Sequence, residues 1–163
     1  MSPEADINTI ADAFIRKEIQ SAQGITAIHR AKQLIDSLPI DKWGVVTSAT
    51  TALAKARLSS AGFHIPAVLV TSDSVVKGKP APDCYKLAAQ LLGAPPRDCL
   101  VFEDSISGIE AAIAAGIHVI HVNGQETVDG VLCSIKDYAE VSIETKANGL
   151  IVEINTKHQT DAR

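Results

Sequence analysis

One stretch constrains what this chain can fold into more than any other: Leu100-Val101-Phe102-Glu103-Asp104-Ser105-Ile106-Ser107-Gly108-Ile109-Glu110-Ala111-Ala112. A short apolar run ends in two adjacent carboxylates, passes through a Ser/Gly turn, and continues with Ile109, Ala112, Ile113 and Ile117 at helical spacing. That pattern is strand, acidic tip, helix. Successive strand residues face opposite sides, so of Glu103 and Asp104 one can aim into a crevice while the other supports it. In parallel α/β sheets ligands sit beyond the carboxyl ends of the strands. Two carboxylates against an apolar strand need a partner, for which a hard cation such as Mg²⁺ is the usual choice. Helix capping by Asp104 or Ser105 accounts for part of the same pattern.

The rest of the chain repeats this alternation. Trp43 to Thr47 is a short strand, and Ser48-Ala49-Thr50-Thr51 opens a helix that Gly62 closes. Ala67 to Thr71 is the next strand, and a loop Val76-Lys77-Gly78-Lys79-Pro80-Ala81-Pro82-Asp83 leads into a helix ending at Leu92-Gly93. Ile117 to Val122 follows as a strand with His118 and His121 on opposite faces, neither with a clear ligand partner. Strand and helix thus alternate from 43 to 122, the signature of an open parallel sheet with helices on both faces, a Rossmann-like α/β fold. Upstream, the spacing predicts helices over residues 3–21 and 26–38. Downstream, Val141 to Thr145 and Leu150 to Ile154 flank Asn148-Gly149, which predicts a β-hairpin, and residues 157–163 should fray. The domains expected are a helical segment 1–38, an α/β core 39–125 and a hairpin-bearing extension 126–163.

Composition narrows the function. The 163 residues carry a net charge of −4 and no basic run, and aromatics are 4%, so nucleic acid is not an expected partner. No apolar stretch approaches the roughly 18 residues that cross a bilayer, and the amino-terminal residues do not read as a signal peptide, so no membrane partner is expected. Cys84, Cys99 and Cys133 are widely spaced and form no metal motif, which fits small buried or half-buried residues in a cytoplasmic protein.

Three chemical groups line up on successive βα junctions. Thr47 and Ser48 offer hydroxyls beside a helix N-terminus, an arrangement that suits phosphate and equally suits helix capping by Ser48 or Thr50. Lys79 lies in a loop stiffened by Pro80 and Pro82, which would present its ammonium at a fixed place. Glu103 and Asp104 complete a set that fits a phosphate site with a divalent ion.

Thr47-Ser48, Gly78-Lys79-Pro80-Ala81-Pro82-Asp83, and Val101-Phe102-Glu103-Asp104-Ser105 with Gly108, Ala111-Ala112 and Ala115-Gly116 resemble three motifs of the haloacid dehalogenase superfamily. The likeness is nearest its capped sugar-phosphate phosphatases, such as β-phosphoglucomutase and the glycerol- and deoxyglucose-phosphate phosphatases, and it covers residues 25–125. The resemblance implies a Mg²⁺-dependent phosphomonoester hydrolase acting on a small phosphorylated sugar or polyol. It implies that Thr47 and Ser48 hold the phosphoryl oxygens, that Lys79 neutralises phosphate and nucleophile as the catalytic cation, and that Asp104 binds the metal with Glu103 as helper. Residues 3–38 would be the tail of a substrate-selecting helical cap.

One motif of that family is missing. Its nucleophilic Asp-x-Asp closes the first strand, and these 163 residues contain no Asp-x-Asp; Asp6, Asp12, Asp36 and Asp41 fall on helices or a turn. Covalent catalysis would lack its nucleophile. The missing strand would lie between the Val45 and Val101 strands, leaving a slot of roughly 10 Å to be closed by collapse or filled from elsewhere, with exposed edges favouring self-association. The chain is therefore expected to be truncated and inactive alone. Two other readings follow: a non-catalytic protein that binds phosphate and Mg²⁺ or a partner, and a receiver-like phosphoacceptor domain. Receivers place their acidic pair ahead of the hydroxyl and the Lys, whereas here the acids come last.

Overall fold

A computed structural model describes residues 24–124, 128–147 and 149–155, with isolated positions between 13 and 22. Of the helix expected over 3–21 the described residues include only 13, 17, 19 and 20, all helical, and the fraying of 157–163 lies outside them.

The first described helix, α1 (Ala31–Asp36), is shorter than the predicted 26–38. It starts after Arg30, whose φ of 65° is left-handed and cannot continue a helix backwards. Ile28 beyond it is 42% exposed. Without an apolar surface to pack on, the amphipathic pattern of 26–30 is not enough to hold a helix. Strand β1 (Gly44–Val46) leads into α2 (Thr51–Ser60), and β2 (Val68–Val70) into α3 (Asp83–Leu91). Then come β3 (Leu100–Glu103), α4 (Ile106–Ala114), β4 (His118–Val122), β5 (Cys133–Ile135), and the hairpin β6 (Val141–Lys146) and β7 (Gly149–Ile154).

All pairings within the α/β core are parallel. Gly44–Val46 of β1 align with Val68–Val70 of β2, Leu100–Glu103 of β3 with His118–His121 of β4, and Ile120–Val122 with Cys133–Ile135 of β5. Gly44 permits the first approach: a Cβ there would stand 2.9 Å from the Val68 carbonyl oxygen and side chain. The expected hairpin closes the chain, with Val141 opposite Ile154 and Lys146 opposite Gly149.

One face of these strands carries α3 and α4. Tyr85 and Ala88 of α3 and Ile109, Ala111 and Ala112 of α4 join Val70 and Val119 in a single buried cluster, with Ile109, Val70 and Val119 inaccessible to solvent. Burying one such side chain contributes about 1.5–3 kcal/mol. Because α3 packs on β1 and β2 while α4 packs on β3 and β4, contact between the two helices ties the strands together. On the opposite face Phe102, Ile120, Val122 and Ile135 pack against Tyr138, Val141 and Ile154, so the hairpin covers β3–β5 there.

The sheet is not continuous. Among the described residues β1 pairs with β2 alone and β3 is bonded to β4 alone. Between β1 and β3 lies a cleft of about 670 Å³, lined by Val45 and Val46 on one side and by Val101 and Phe102 on the other. This is the slot anticipated between the Val45 and Val101 strands.

Candidate phosphate and metal site

β3 delivers Glu103 to the carboxyl edge of the sheet on the face toward α3, where it is 9% exposed. A carboxylate buried to that degree must fill its acceptor directions, and this one does. Oε1 accepts from the Ser105 backbone N–H at 3.2 Å and from the Ser105 hydroxyl at 2.7 Å. Oε2 accepts from Lys79 Nζ at 2.7 Å and from the Tyr85 hydroxyl at 2.5 Å. Ser105 also caps α4, its Oγ accepting from the Gly108 N–H at 3.2 Å. Gly108 is required here, because a Cβ at that position would lie 2.1 Å from Glu103 Cδ.

Burial by itself pushes the Glu103 carboxyl up. The hydrogen bonds from Lys79, Tyr85 and Ser105, with the Lys79 charge, outweigh it and hold the group down at about 2. The same contact has the opposite consequence for Tyr85, whose hydroxyl is pushed far up by burial and then by donating to an anion, so that it stays protonated. Lys79 reaches this carboxylate from the β2–α3 loop. Its side chain is 8% exposed, its Nζ stands 5.0 Å from the centre of the Tyr85 ring, and a longer contact of 3.5 Å joins it to the Val46 carbonyl. The ammonium is therefore fixed between the ends of β1 and β3.

The β1–α2 junction is more open. Thr47 continues the β1–β2 ladder, its N–H donating to the Val70 carbonyl at 2.9 Å, and its Oγ1 accepts from the Ala49 N–H at 3.1 Å. Ser48 is exposed. Capping falls to Thr50, which accepts from the Leu53 N–H at 3.4 Å. Asp73, from the turn after β2, accepts from the Thr51 N–H at 2.8 Å, and that bond draws its carboxyl below the usual range. Of the five residues singled out in the sequence, the structure thus joins Lys79 and Glu103 directly. It sets Asp104 beside them at the strand tip, exposed, and places Thr47 and Ser48 next to Val46.

Sequence reading missed Tyr85 and Asp73. Tyr85 lies 18 positions from the carboxylate it serves, with nothing local to mark it beyond its place on the apolar face of a helix. His118 is exposed and His121 buried, and Cys84, Cys99 and Cys133 are free thiols at buried or half-buried positions.

Whether these groups suit Mg²⁺ follows from the donor set. All four acceptor directions of Glu103 are taken, while the Asp104 carboxylate is exposed. Among the described residues no group of three or more His, Cys, Asp or Glu comes together. Mg²⁺ is commonly held by one or two carboxylates together with waters and substrate phosphate, so Asp104 fits as one ligand of such an ion. Lys79, Glu103 and Asp104 together carry one net negative charge, and an anionic phosphate needs an added cation to settle there.

No helix of the described residues is long and apolar enough to cross a membrane. A family model for haloacid dehalogenase-like hydrolases matches residues 2–116. Hexitol phosphatase A of Escherichia coli (strain K12) is 38% identical over 157 residues, covering 91% of this chain and 71% of that protein. Glycerol-1-phosphate phosphohydrolase 2 of Saccharomyces cerevisiae is 34% identical over 95 residues, 54% of this chain and 38% of the relative. Among solved structures, CbbY from Rhodobacter sphaeroides in complex with phosphate superposes with a TM-score of 0.70 at 26% identity, over 85% of this chain and 66% of its own. The match across most of the chain, in sequence and in fold, establishes that the protein belongs to the haloacid dehalogenase-like hydrolase family.

Proposed function

We propose that this chain carries the phosphate-gripping side of a Mg²⁺-dependent phosphatase site for small sugar or polyol phosphates. The observation that supports it most is the buried Lys79–Glu103 pair, which holds an ammonium at the tips of two strands with Asp104 exposed beside it. Lys79 has three N–H donors, and one beyond those facing Glu103 and Val46 can meet a phosphoryl oxygen. Thr47 and Ser48 supply hydroxyl donors from the neighbouring junction. Glu103 acts through Lys79, setting its position, and Tyr85 and Ser105 set Glu103 in turn. Asp104 would hold the metal, which when bound supplies the positive charge that the phosphate requires. The small-polyol class follows the names of the relatives, a hexitol phosphatase and a glycerol-1-phosphate phosphohydrolase.

Turnover needs one group more. With no Asp-x-Asp in the 163 residues, these residues are expected to bind phosphate without forming a phosphoaspartate. Calorimetric titration of the chain with inorganic phosphate and with glycerol 1-phosphate, each with Mg²⁺, tests this. Binding that disappears in Lys79→Ala and loses its Mg²⁺ dependence in Asp104→Asn is expected, with no phosphate released. Absence of any binding by the folded chain overturns the reading of the site, and turnover that Lys79→Ala abolishes overturns the absence of a nucleophile.

A further inference from the structure

One buried titratable side chain takes no part in the phosphate site. His121, near the end of β4, is 3% exposed, and its Nδ1 has no hydrogen-bond partner among the described residues. A neutral imidazole carries one donor and one acceptor, and leaving either unpaired in an apolar interior is costly. His121 pairs with Glu103 across the β3–β4 ladder, but every acceptor direction of that carboxylate is already filled by Lys79, Tyr85 and Ser105. Among the described residues it belongs to no group of three metal ligands. What the ring does touch is backbone: it fills the space that a Cβ on Gly124 would take.

That glycine follows an asparagine. Asn123-Gly124 is one of two Asn-Gly dipeptides in the chain, the other being Asn148-Gly149. Asn-Gly is the pairing most prone to close a succinimide, because glycine has no Cβ to hinder its nitrogen and the least restricted backbone. The two sites are held differently. Gly149 opens β7 opposite Lys146, and the antiparallel ladder fixes its backbone. Asn123 is exposed, with a φ of 56° in the left-handed region. Its own N–H is anchored on the Ile135 carbonyl at 2.8 Å, whereas the Gly124 N–H is taken by no described carbonyl. One turn thus brings together an attacking nitrogen, a side-chain amide and an unpartnered imidazole.

We propose that Asn123 is a site of self-modification, converted to aspartate or isoaspartate through a succinimide whose closure His121 assists. The Gly124 nitrogen gives up its proton and attacks Asn123 Cγ, forming the N–Cγ bond of a five-membered ring. The Cγ–Nδ2 bond breaks, and Nδ2 leaves as ammonia with the proton that Gly124 lost. His121 carries that proton, accepting it at one ring nitrogen and returning it to the leaving group, so its burial needs no exchange with solvent. Water then adds to one of the two ring carbonyls, leaving aspartate or, by the other opening, isoaspartate with an extra CH₂ in the backbone. Asn123 lies two residues beyond His121, so the new carboxylate lands at the sheet edge that carries Glu103 and Asp104. The negative charge of that edge rises with the age of the protein. Conversion needs neither phosphate nor metal and stands apart from the phosphatase reading.

The test follows the whole chain by peptide mapping and mass spectrometry during incubation at neutral pH, folded in buffer and unfolded in guanidinium chloride. Each conversion adds about 1 Da. Unfolded, residues 123 and 148 are expected to convert at similar rates, since both precede glycine. Folded, residue 123 is expected to convert about tenfold faster than 148 and faster than it does unfolded, and His121→Gln to return it to the unfolded rate. Conversion at 148 ahead of 123 in the folded chain, a folded rate at 123 no higher than the unfolded rate, or undiminished conversion in a folded His121→Gln variant would overturn the proposal. If that variant does not fold, the ratio of folded to unfolded rates at 123 in the unaltered chain decides by itself.

Discussion

The two βα junctions at the edge of the cleft are built in opposite ways. At β3–α4 a carboxylate 9% exposed has every acceptor direction filled, by a lysine, a tyrosine and a serine that also caps the helix. At β1–α2 the hydroxyls are exposed or half-buried, and the helix is capped by a threonine at 3.4 Å with an exposed aspartate close by. A buried, saturated network cannot exchange its partners without leaving a charge stranded in low dielectric, whereas an open junction exchanges them with water at little cost. The first kind fixes a cation in space. The second leaves donors free for a ligand.

If that contrast is right, the largest loss comes from emptying the closed junction. Glu103→Ala strands the Lys79 ammonium and the Tyr85 hydroxyl, and urea unfolding should report a stability lower by about 3–5 kcal/mol. A loss under about 1 kcal/mol would mean that water replaces the carboxylate and that the junction is not closed. Tyr85→Phe removes one donor to the buried anion and keeps the packing, for an expected loss of about 1.5–3 kcal/mol by the same measurement.

The closed junction also has a pH signature. The Glu103 carboxyl titrates near 4.5 when free and at about 2 in the folded chain. A depressed carboxylate favours the folded state wherever the unfolded chain binds the proton first. Its contribution is thus complete above pH 4.5 and drains away as pH falls from there toward about 2. Glu103→Gln should flatten stability against pH in that window; an unchanged slope would show that the carboxylate is not held down. The smallest effect belongs to the open junction, where Thr50→Ala should cost about 0.5–1 kcal/mol, the low end for a cap because its hydrogen bond is long. A loss as large as that of Tyr85→Phe would erase the distinction between the junctions.

Much of this was legible in the residues because it depends on local pattern. The apolar run ending at Glu103-Asp104 marked strand, tip and helix, Asn148-Gly149 marked the hairpin, and Lys79 followed by Pro80 and Pro82 marked a presented cation. The failures are equally physical. β5 escaped notice because three residues, Cys133 to Ile135, become a strand through bonding to Ile120–Val122 rather than through any alternation of their own. α1 came out shorter than its pattern because Ile28 has no surface to cover. What pattern could not reach is the surroundings of Glu103, since its four donors come from three separate elements and include the ammonium of Lys79.

The sequence by itself determined the alternation of strands and helices, the residue types at the sheet edge, and the absence of an Asp-x-Asp, since each is written in neighbouring positions. Tertiary structure decided which carboxylate is buried and which stays open, which tyrosine meets it, and that β1 and β3 face each other across an apolar cleft. Those outcomes depend on packing between residues far apart in the chain, where burial turns a hydrogen bond or an unpaired edge from a small matter in water into a decisive one.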